Sequence, residues 1–409
     1  MTVPDQLLKK IREVLIPTDT LDALVEQGLL ELQSRLEESD VSMLACRVVK
    51  HLELKRTEVG RVNIAMDLGG SFVKLGFIDT RDHHVMMGES LALERNTVDI
   101  QFFHCIVKWI CQKVADFISE SDVDPTTTFV LGTTFSFPLN AKGEITTMGK
   151  GYVMADQIKG VSVMQLLQQQ FNKVLPFENC KFNILVGGVV NDSIAVHLAN
   201  TATNRGSDIS LVLGTGINAC FSLPAVKIPK KKCTGSTLGN GSVLINSEIG
   251  FMGKGFIKLT RFDPSCKPFM PLEYVTAGRW IPLTLFNILQ YYNLLPENGS
   301  DLQFDGKLIC QIVNRSATPV FGEDQSTVEC IAGLLIERAA IYASAALLSI
   351  FKFKGTNIEK GVRIGYAGSF LHHCDIYKDL IKKFSNGIIE LEFLEHSNLI
   401  GAYVNALEK

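Results

Sequence analysis

The sequence predicts an α/β protein of two lobes, with duplicated mixed β-sheet cores and a central cleft. Three observations carry this. The chain has 409 residues, beyond the size at which a single hydrophobic core keeps growing. Strand-type and helix-type apolar patterns alternate along it. An apolar strand, a glycine turn and a second apolar strand occur twice, as NIAMDLGGSFVKLGF at 63–77 and ISLVLGTGINACFSL at 209–223. Such self-similarity marks an internal duplication with room for a ligand between the halves.

In order, residues 5–16 and 20–38 read as helices, the second with Leu21, Leu24, Val25, Leu29, Leu32 and Leu36 at helical spacing. A charged connection follows. From residue 61, VNIAMDLGG, FVKLGFI and VMMGESL form an antiparallel three-strand meander. A long helix at 99–121, a strand TFVLGTTFSF, a helix near 161–173 and a strand FNILVGGVV complete the first half. After the second turn the pattern predicts helices at 273–293 and 327–353, a strand in VRIGYAGSF, a helix to about 384, a strand GIIELEFL and a final helix. Lys230 to Lys232 with TGSTLGNGS read as a solvated surface loop.

Composition narrows the function. Hydrophobic residues are 46% and charged residues 20%, with a net charge of -3, so no basic field recruits nucleic acid or anionic lipid. The ten cysteines show no CxxC pair or zinc spacing and read as reduced thiols. No secretion signal is evident at the N-terminus, and the apolar stretch 339–353 is shorter than a bilayer span, so it reads as a buried helix. A cytoplasmic protein, monomer or homodimer, with small-molecule partners and no nucleic acid or membrane partner, is the expectation.

Chemistry concentrates at strand ends. In DLGGSFVK, Asp67 closes a strand, Gly69 and Gly70 turn, and Ser71 and Lys74 follow. Turn amides and a hydroxyl suit phosphate oxygens, while a carboxylate suits magnesium through water; a plain hairpin turn is the competing explanation. LGTGINA repeats the device with Gly214, Thr215, Gly216 and Asn218. Asp192, after the strand at 182–190, could accept the proton of a hydroxyl nucleophile during phosphoryl transfer, or could serve as a helix N-cap. Ser136, Lys150, Asn246, Glu248 and Glu273 are polar groups that follow strands or open helices, the material with which a polyhydroxylated ligand is recognised.

These motifs in this order resemble the fungal hexokinase family, of the actin-like ATPase (ribonuclease H-like) superfamily. MDLGGSFVKL, TFSFPLNAKGE, MGKGYV, VVNDSIAV, GTGINACF, LINSEIGF, PLEYVTAGRW, IERAAIYASA, IGYAGSFLH and LEHSNLIGAYV carry the likeness over nearly the whole chain. The resemblance implies N-terminal helices (1–60) on a large lobe (191–395), a small lobe (61–190), and a C-terminal helix (396–409) returning to the small lobe. It implies Asp192 as base for a sugar 6-hydroxyl and Ser136, Lys150, Asn191, Asn246, Glu248 and Glu273 as sugar ligands. Nucleotide contacts would be Asp67, Gly69, Gly70, Ser71, Lys74, Gly214, Thr215, Gly216, Asn218, Gly368 and Ser369, with Mg2+ held by Asp67 through water and ATP or another nucleoside triphosphate as co-substrate.

Four departures are visible. Gly149 stands where hexokinases have a threonine beside the lysine, Lys74 stands for an arginine, GYAGSF lacks an acidic residue, and SNLIGAY is an altered form of the adenosine turn. Three functions follow: a kinase for a glucose-type hexose, an N-acetylglucosamine kinase of the same fold, or a sugar-binding regulator with weak catalysis.

Overall fold

The structure is a computed structural model describing residues 3–48, 61–137, 139–140, 142–146, 148, 152–203, 206–207, 209–232, 241–296, 302–316, 320–359 and 361–407. Helices α1 (Val3–Leu15) and α2 (Leu21–Glu38) open the chain. Thr20 caps α2, its hydroxyl accepting from Ala23 N at 3.3 Å. Ile11, Leu15, Leu24, Leu32 and Leu36 bury their side chains in the core of the second half. Strand β1 (Leu44–Val48) lies where the sequence suggested only a charged connection; the rest of that connection, 49–60, is outside the described residues.

The first half begins with the meander, β2 (Val62–Leu68), β3 (Phe72–Asp79) and β4 (Val85–Ala92). Then come β5 (Thr97–Val98), α3 (Ile100–Ser119), β6 (Thr128–Phe135), β7 (Val153–Met154), α4 (Val163–Phe177), β8 (Asn183–Asn191) and α5 (Asp192–Ala202). The sheet runs β4-β3-β2-β6-β8, with β2, β6 and β8 parallel, while β5 pairs with β7. Alternate residues of β2 and β6, including Ile64, Met66, Phe129 and Leu131, face α3 and α4 in one apolar cluster.

The second half holds β9 (Ile209–Leu213), β10 (Ile217–Pro224), β11 (Ser242–Asn246), α6 (Pro271–Thr276), α7 (Ile281–Tyr291), α8 (Gly306–Val313) and α9 (Gln325–Lys354). It ends with β12 (Val362–Ala367), α10 (Ser369–His373), α11 (Asp375–Phe384), β13 (Ile389–Phe393) and α12 (Ser397–Leu407). Its sheet runs β1-β11-β10-β9-β12-β13. With β1 set aside, both sheets place their strands in the order third, second, first, fourth, fifth. Helix α9 is long and apolar enough to cross a bilayer, yet 89% of its most apolar stretch is buried in the protein, as a core helix requires.

Three readings need correction. The helix expected at 273–293 is broken into α6 and α7, because Gly278 N turns to donate to Gly214 O at 2.9 Å. Helix α8 went unrecognised, although Asp305 caps it by accepting from Leu308 N at 2.9 Å. Lys232 is not a solvated loop lysine: its ammonium donates to the carbonyls of Arg35, Ser42 and Met43 at 3.1, 2.8 and 3.1 Å. TGSTLGNGS lies mostly outside the described residues. The altered adenosine turn SNLIGAY forms the first turns of α12, the final helix that the sequence predicts.

Each half sends its last helix to the other sheet. Helix α5 follows β8 but packs on β9 and β10, and α12 follows β13 but packs on β2, β6 and β8. The two helices touch so closely that a Cβ at Gly401 would stand 1.9 Å from Ala195 O, and α12 lies so close to β6 that one at Gly132 would stand 2.2 Å from Ala402 O. Asp192 opens one of these crossing helices.

Candidate active site

Both glycine turns are closed by backbone bonds, Gly69 N to Phe72 O and Gly214 N to Gly216 O, each at 3.0 Å. The fold brings them face to face: Ser71 Oγ and Thr215 Oγ1, 144 positions apart, are 3.3 Å from one another. Gly368 reaches the same place, with φ of +117° and a position where a Cβ would lie 2.3 Å from Leu213 O; only glycine tolerates both. Ser369 N lies 3.9 Å from where a Cβ on Gly214 would be. Three backbone segments and two hydroxyls therefore converge at one point of the cleft.

Asp67, the penultimate residue of β2, is buried beside the first turn. Thr134 Oγ1 donates to its Oδ1 at 2.6 Å and Asn398 Nδ2 to its Oδ2 at 2.9 Å. Burial raises its carboxyl above the usual range; those two bonds and the charge of Lys74 pull it down, and the charge of Asp192 pushes it up again. Thus Asp192 and Lys74 both act electrostatically on Asp67. Ser136 continues β6 past its end, its N donating to Leu68 O at 3.1 Å, and Tyr152 Oη donates to Gly70 O at 3.3 Å.

A second polar group forms around the start of α5. The helix cap is Asn191, not Asp192: Asn191 Oδ1 accepts from Ser193 N at 3.0 Å and from Ser193 Oγ at 2.8 Å. Asp192 is thereby moved from cap to first helical residue, buried to 4% exposure. Asn218 Nδ2 donates to Asn246 Oδ1 at 2.8 Å and lies 3.3 Å from Asn191 Oδ1. Its amide is thereby engaged with Asn191 and Asn246, the residues that the resemblance implies as sugar ligands, although the sequence grouped it with the nucleotide contacts. Asn246 Nδ2 donates in turn to Glu248 Oε1 at 2.8 Å. Glu248 holds a left-handed backbone, φ 47°, unusual for a residue with a side chain and of the kind stored at functional sites. Glu273, on α6, accepts at Oε1 from Trp280 Nε1 at 3.2 Å.

Asn191, Asn218, Asn246 and Glu248 thus form one network, and Ser71, Thr215, Gly214 and Gly368 another. Gly149 and Lys150 lie outside the described residues. Sequence reasoning missed Thr134, Tyr152, Ser193, Trp280 and Asn398. Ser193 was legible in principle, as a hydroxyl two residues after a capping asparagine; Asn398 was not, because its partner Asp67 is 331 positions away.

Two sheets of one strand order, crossed helices and paired glycine turns over a buried carboxylate define a two-lobed phosphotransferase of the actin-like ATPase class. The chain belongs to the hexokinase family: the two hexokinase family models match residues 6–202 and 208–407. It is accordingly a sugar kinase. N-acetylglucosamine kinase 1 of Candida albicans is 25% identical over 415 residues, covering 84% of this chain and 82% of that protein. Hexokinase-1 of Saccharomyces cerevisiae is 24% identical, over 68% of this chain and 60% of its own length. A hexokinase from Schistosoma mansoni complexed with glucose superposes with a TM-score of 0.74 at 22% identity, over 99% of this chain and 100% of that one, which establishes the shared fold.

Proposed function

We propose that this kinase transfers the γ-phosphoryl group of a nucleoside triphosphate to the 6-hydroxyl of a hexose, with Asp192 as general base. The observation that carries the reading is the position of Asp192, buried at the start of α5. It adjoins Asn191, which is bonded into the Asn218, Asn246 and Glu248 network, and its charge acts on Asp67 beside the first glycine turn. A base must stand between acceptor and phosphate, and this location supports Asp192 in that role.

Phosphoryl transfer passes through a loose transition state, so the protein contributes chiefly by positioning and electrostatics. Asn191, Asn246, Glu248 and Glu273 would exchange bonds with sugar hydroxyls, and Asp192 would orient the 6-hydroxyl and take its proton. Ser71 and Thr215 would give up their mutual contact to phosphate oxygens. Magnesium suits Asp67 through water, because each carboxylate oxygen already accepts one bond and the ion keeps most of its hydration shell; when bound it neutralises phosphate charge. Lobe closure would exclude water, which competes with the sugar as acceptor.

N-acetylglucosamine is the second reading of the acceptor, favoured by the likeness to the Candida albicans kinase over 84% of the chain. A coupled assay crossing glucose and N-acetylglucosamine with ATP and GTP decides the substrate pair. Asp192→Ala should lower kcat at least about 100-fold, the scale of general-base catalysis, while sugar binding persists. Turnover within tenfold of wild type in that variant rules Asp192 out as base, and wild-type sugar binding without turnover on any pair rules out the kinase reading.

A further inference from the structure

Helix α6 has six residues, too few to hold a carboxylate in place by its own backbone. Glu273 is nevertheless buried, to 3% exposure, and a buried carboxylate needs charge-matched or hydrogen-bonding neighbours. One is Trp280, seven positions later, whose indole N–H donates to Glu273 Oε1 at 3.2 Å. In an unbroken helix, residues seven apart stand about 10 Å apart along the axis, out of hydrogen-bond reach. The contact exists because the chain breaks at Ala277, with ψ of 151°, and turns back through Gly278.

That break is built in. Gly278 N donates to Gly214 O at 2.9 Å, and a Cβ at Gly278 would lie 2.8 Å from Phe370 Cγ and 3.0 Å from Gly214 O. The indole is also fixed on its own account. Tyr274 meets it edge-on at 5.4 Å, Tyr274 Oη lies 2.7 Å from Cys266 O and 2.8 Å from Pro268 O, and the Arg279 guanidinium lies 5.2 Å from the ring centre. A partly buried tryptophan is thus oriented by one aromatic and one cationic neighbour toward one carboxylate oxygen.

We propose that Trp280 is a positioning residue for sugar recognition: its N–H holds the Glu273 carboxylate in the orientation that meets the sugar hydroxyls. The proposal rests on the reading of Glu273 as a sugar ligand. Because Gly278 links this turn to Gly214, the orientation of Glu273 is also tied to the second glycine turn.

Trp280→Phe keeps the ring and removes the donor. The sugar KM should rise about tenfold or more, the scale of a hydrogen bond to a charged group, with kcat and the nucleotide KM within about twofold of wild type. A merely structural role would lower kcat and thermal stability together instead of moving the sugar KM alone. A sugar KM within twofold of wild type overturns the proposal.

A second measurement does not depend on that variant folding. The chain has two tryptophans, and Trp109→Phe, on α3, leaves Trp280 as the sole tryptophan for selective excitation. Sugar added without nucleotide should then shift its fluorescence, and sugar binding by calorimetry with unchanged emission overturns the proposal. Glu273→Gln separates the two levels of inference. If it loses sugar affinity while Trp280→Phe does not, the positioning role alone fails; if it binds sugar like wild type, the sugar-ligand reading of Glu273 fails first.

Discussion

The turn at Gly69 and Gly70 and the turn at Gly214 and Thr215 occupy the same place in two copies of one strand order, yet they do different work. The penultimate residue of β2 is Asp67 and that of β9 is Val212. The fifth strand of the first sheet ends at Asn191, against Asp192, whereas that of the second ends at Phe393. The first half therefore carries the two buried acids, Asp67 and Asp192, at its strand ends. The second half carries Asn246, Glu248 and Glu273, and the helices that surround them. Duplication repeated a scaffold, and the chemistry diverged because only strand ends and connections face the cleft.

The crossed helices are the strongest test of that shared scaffold. Gly401→Ala should destabilise the protein by about 1–3 kcal/mol or more, the range for overpacking, because the nearest atom to the new Cβ is backbone and cannot swing away. A shift in denaturant midpoint with unchanged slope checks this. An unchanged midpoint would mean that α5 and α12 do not hold the two halves in register.

Asp67 distinguishes the halves by pH. Burial raises its folded pKa, so the folded protein binds this proton more tightly than the unfolded chain does. Asp67 therefore subtracts stability as pH rises from the ordinary carboxylate range, about 4, through its raised value. The stability of Asp67→Asn relative to wild type should climb across that window, measured by urea titration at several pH values. A pH-independent difference contradicts the raised pKa.

The two hydroxyls at the turns invite a symmetric experiment. Ser71→Ala and Thr215→Ala should each raise the nucleotide KM by roughly threefold to tenfold, as for loss of a single modest hydrogen bond, and leave the sugar KM alone. A sugar effect from either would move that turn to the other side of the cleft.

The smallest effect concerns the strap on the second half, where Lys232 ties the end of α2 and the loop before β1 to the protein. Burial lowers its ammonium to about 8. The folded chain then releases a proton near pH 8 that the unfolded chain keeps to about 10.5, and stability gains with pH across that interval. Lys232→Met should lack the gain, seen as a melting difference from wild type that changes between pH 8 and 10. A constant difference argues that the three carbonyls hold the charged form.

Much of this was legible because it is local. Strand alternation in VNIAMDL and FVKLGFI and the two glycine turns depend on neighbours within a few residues, and the sequence states them directly. Apart from α8 and Ser193, whose caps are local, what escaped was set by distant partners. Strand β1 gains its identity only from pairing with β11, and the break between α6 and α7 only from Gly214. Asp192 was read as a possible cap, but both it and Asn191 satisfy the cap preference, and the choice falls on whichever residue the strand β8 delivers with extended backbone, here Asn191 with ψ of 148°.

By itself the sequence determined the α/β class, the duplication, the family resemblance and the residue types at the cleft, since periodicity, glycine turns and motif order are written in adjacent residues. Only the tertiary structure decided that Asn218 joins Asn191 and Asn246, that Asn398 holds Asp67, and that Trp280 returns to Glu273. Those contacts join side chains whose separation in the chain says nothing about their separation in space, and packing alone brings them within hydrogen-bond distance.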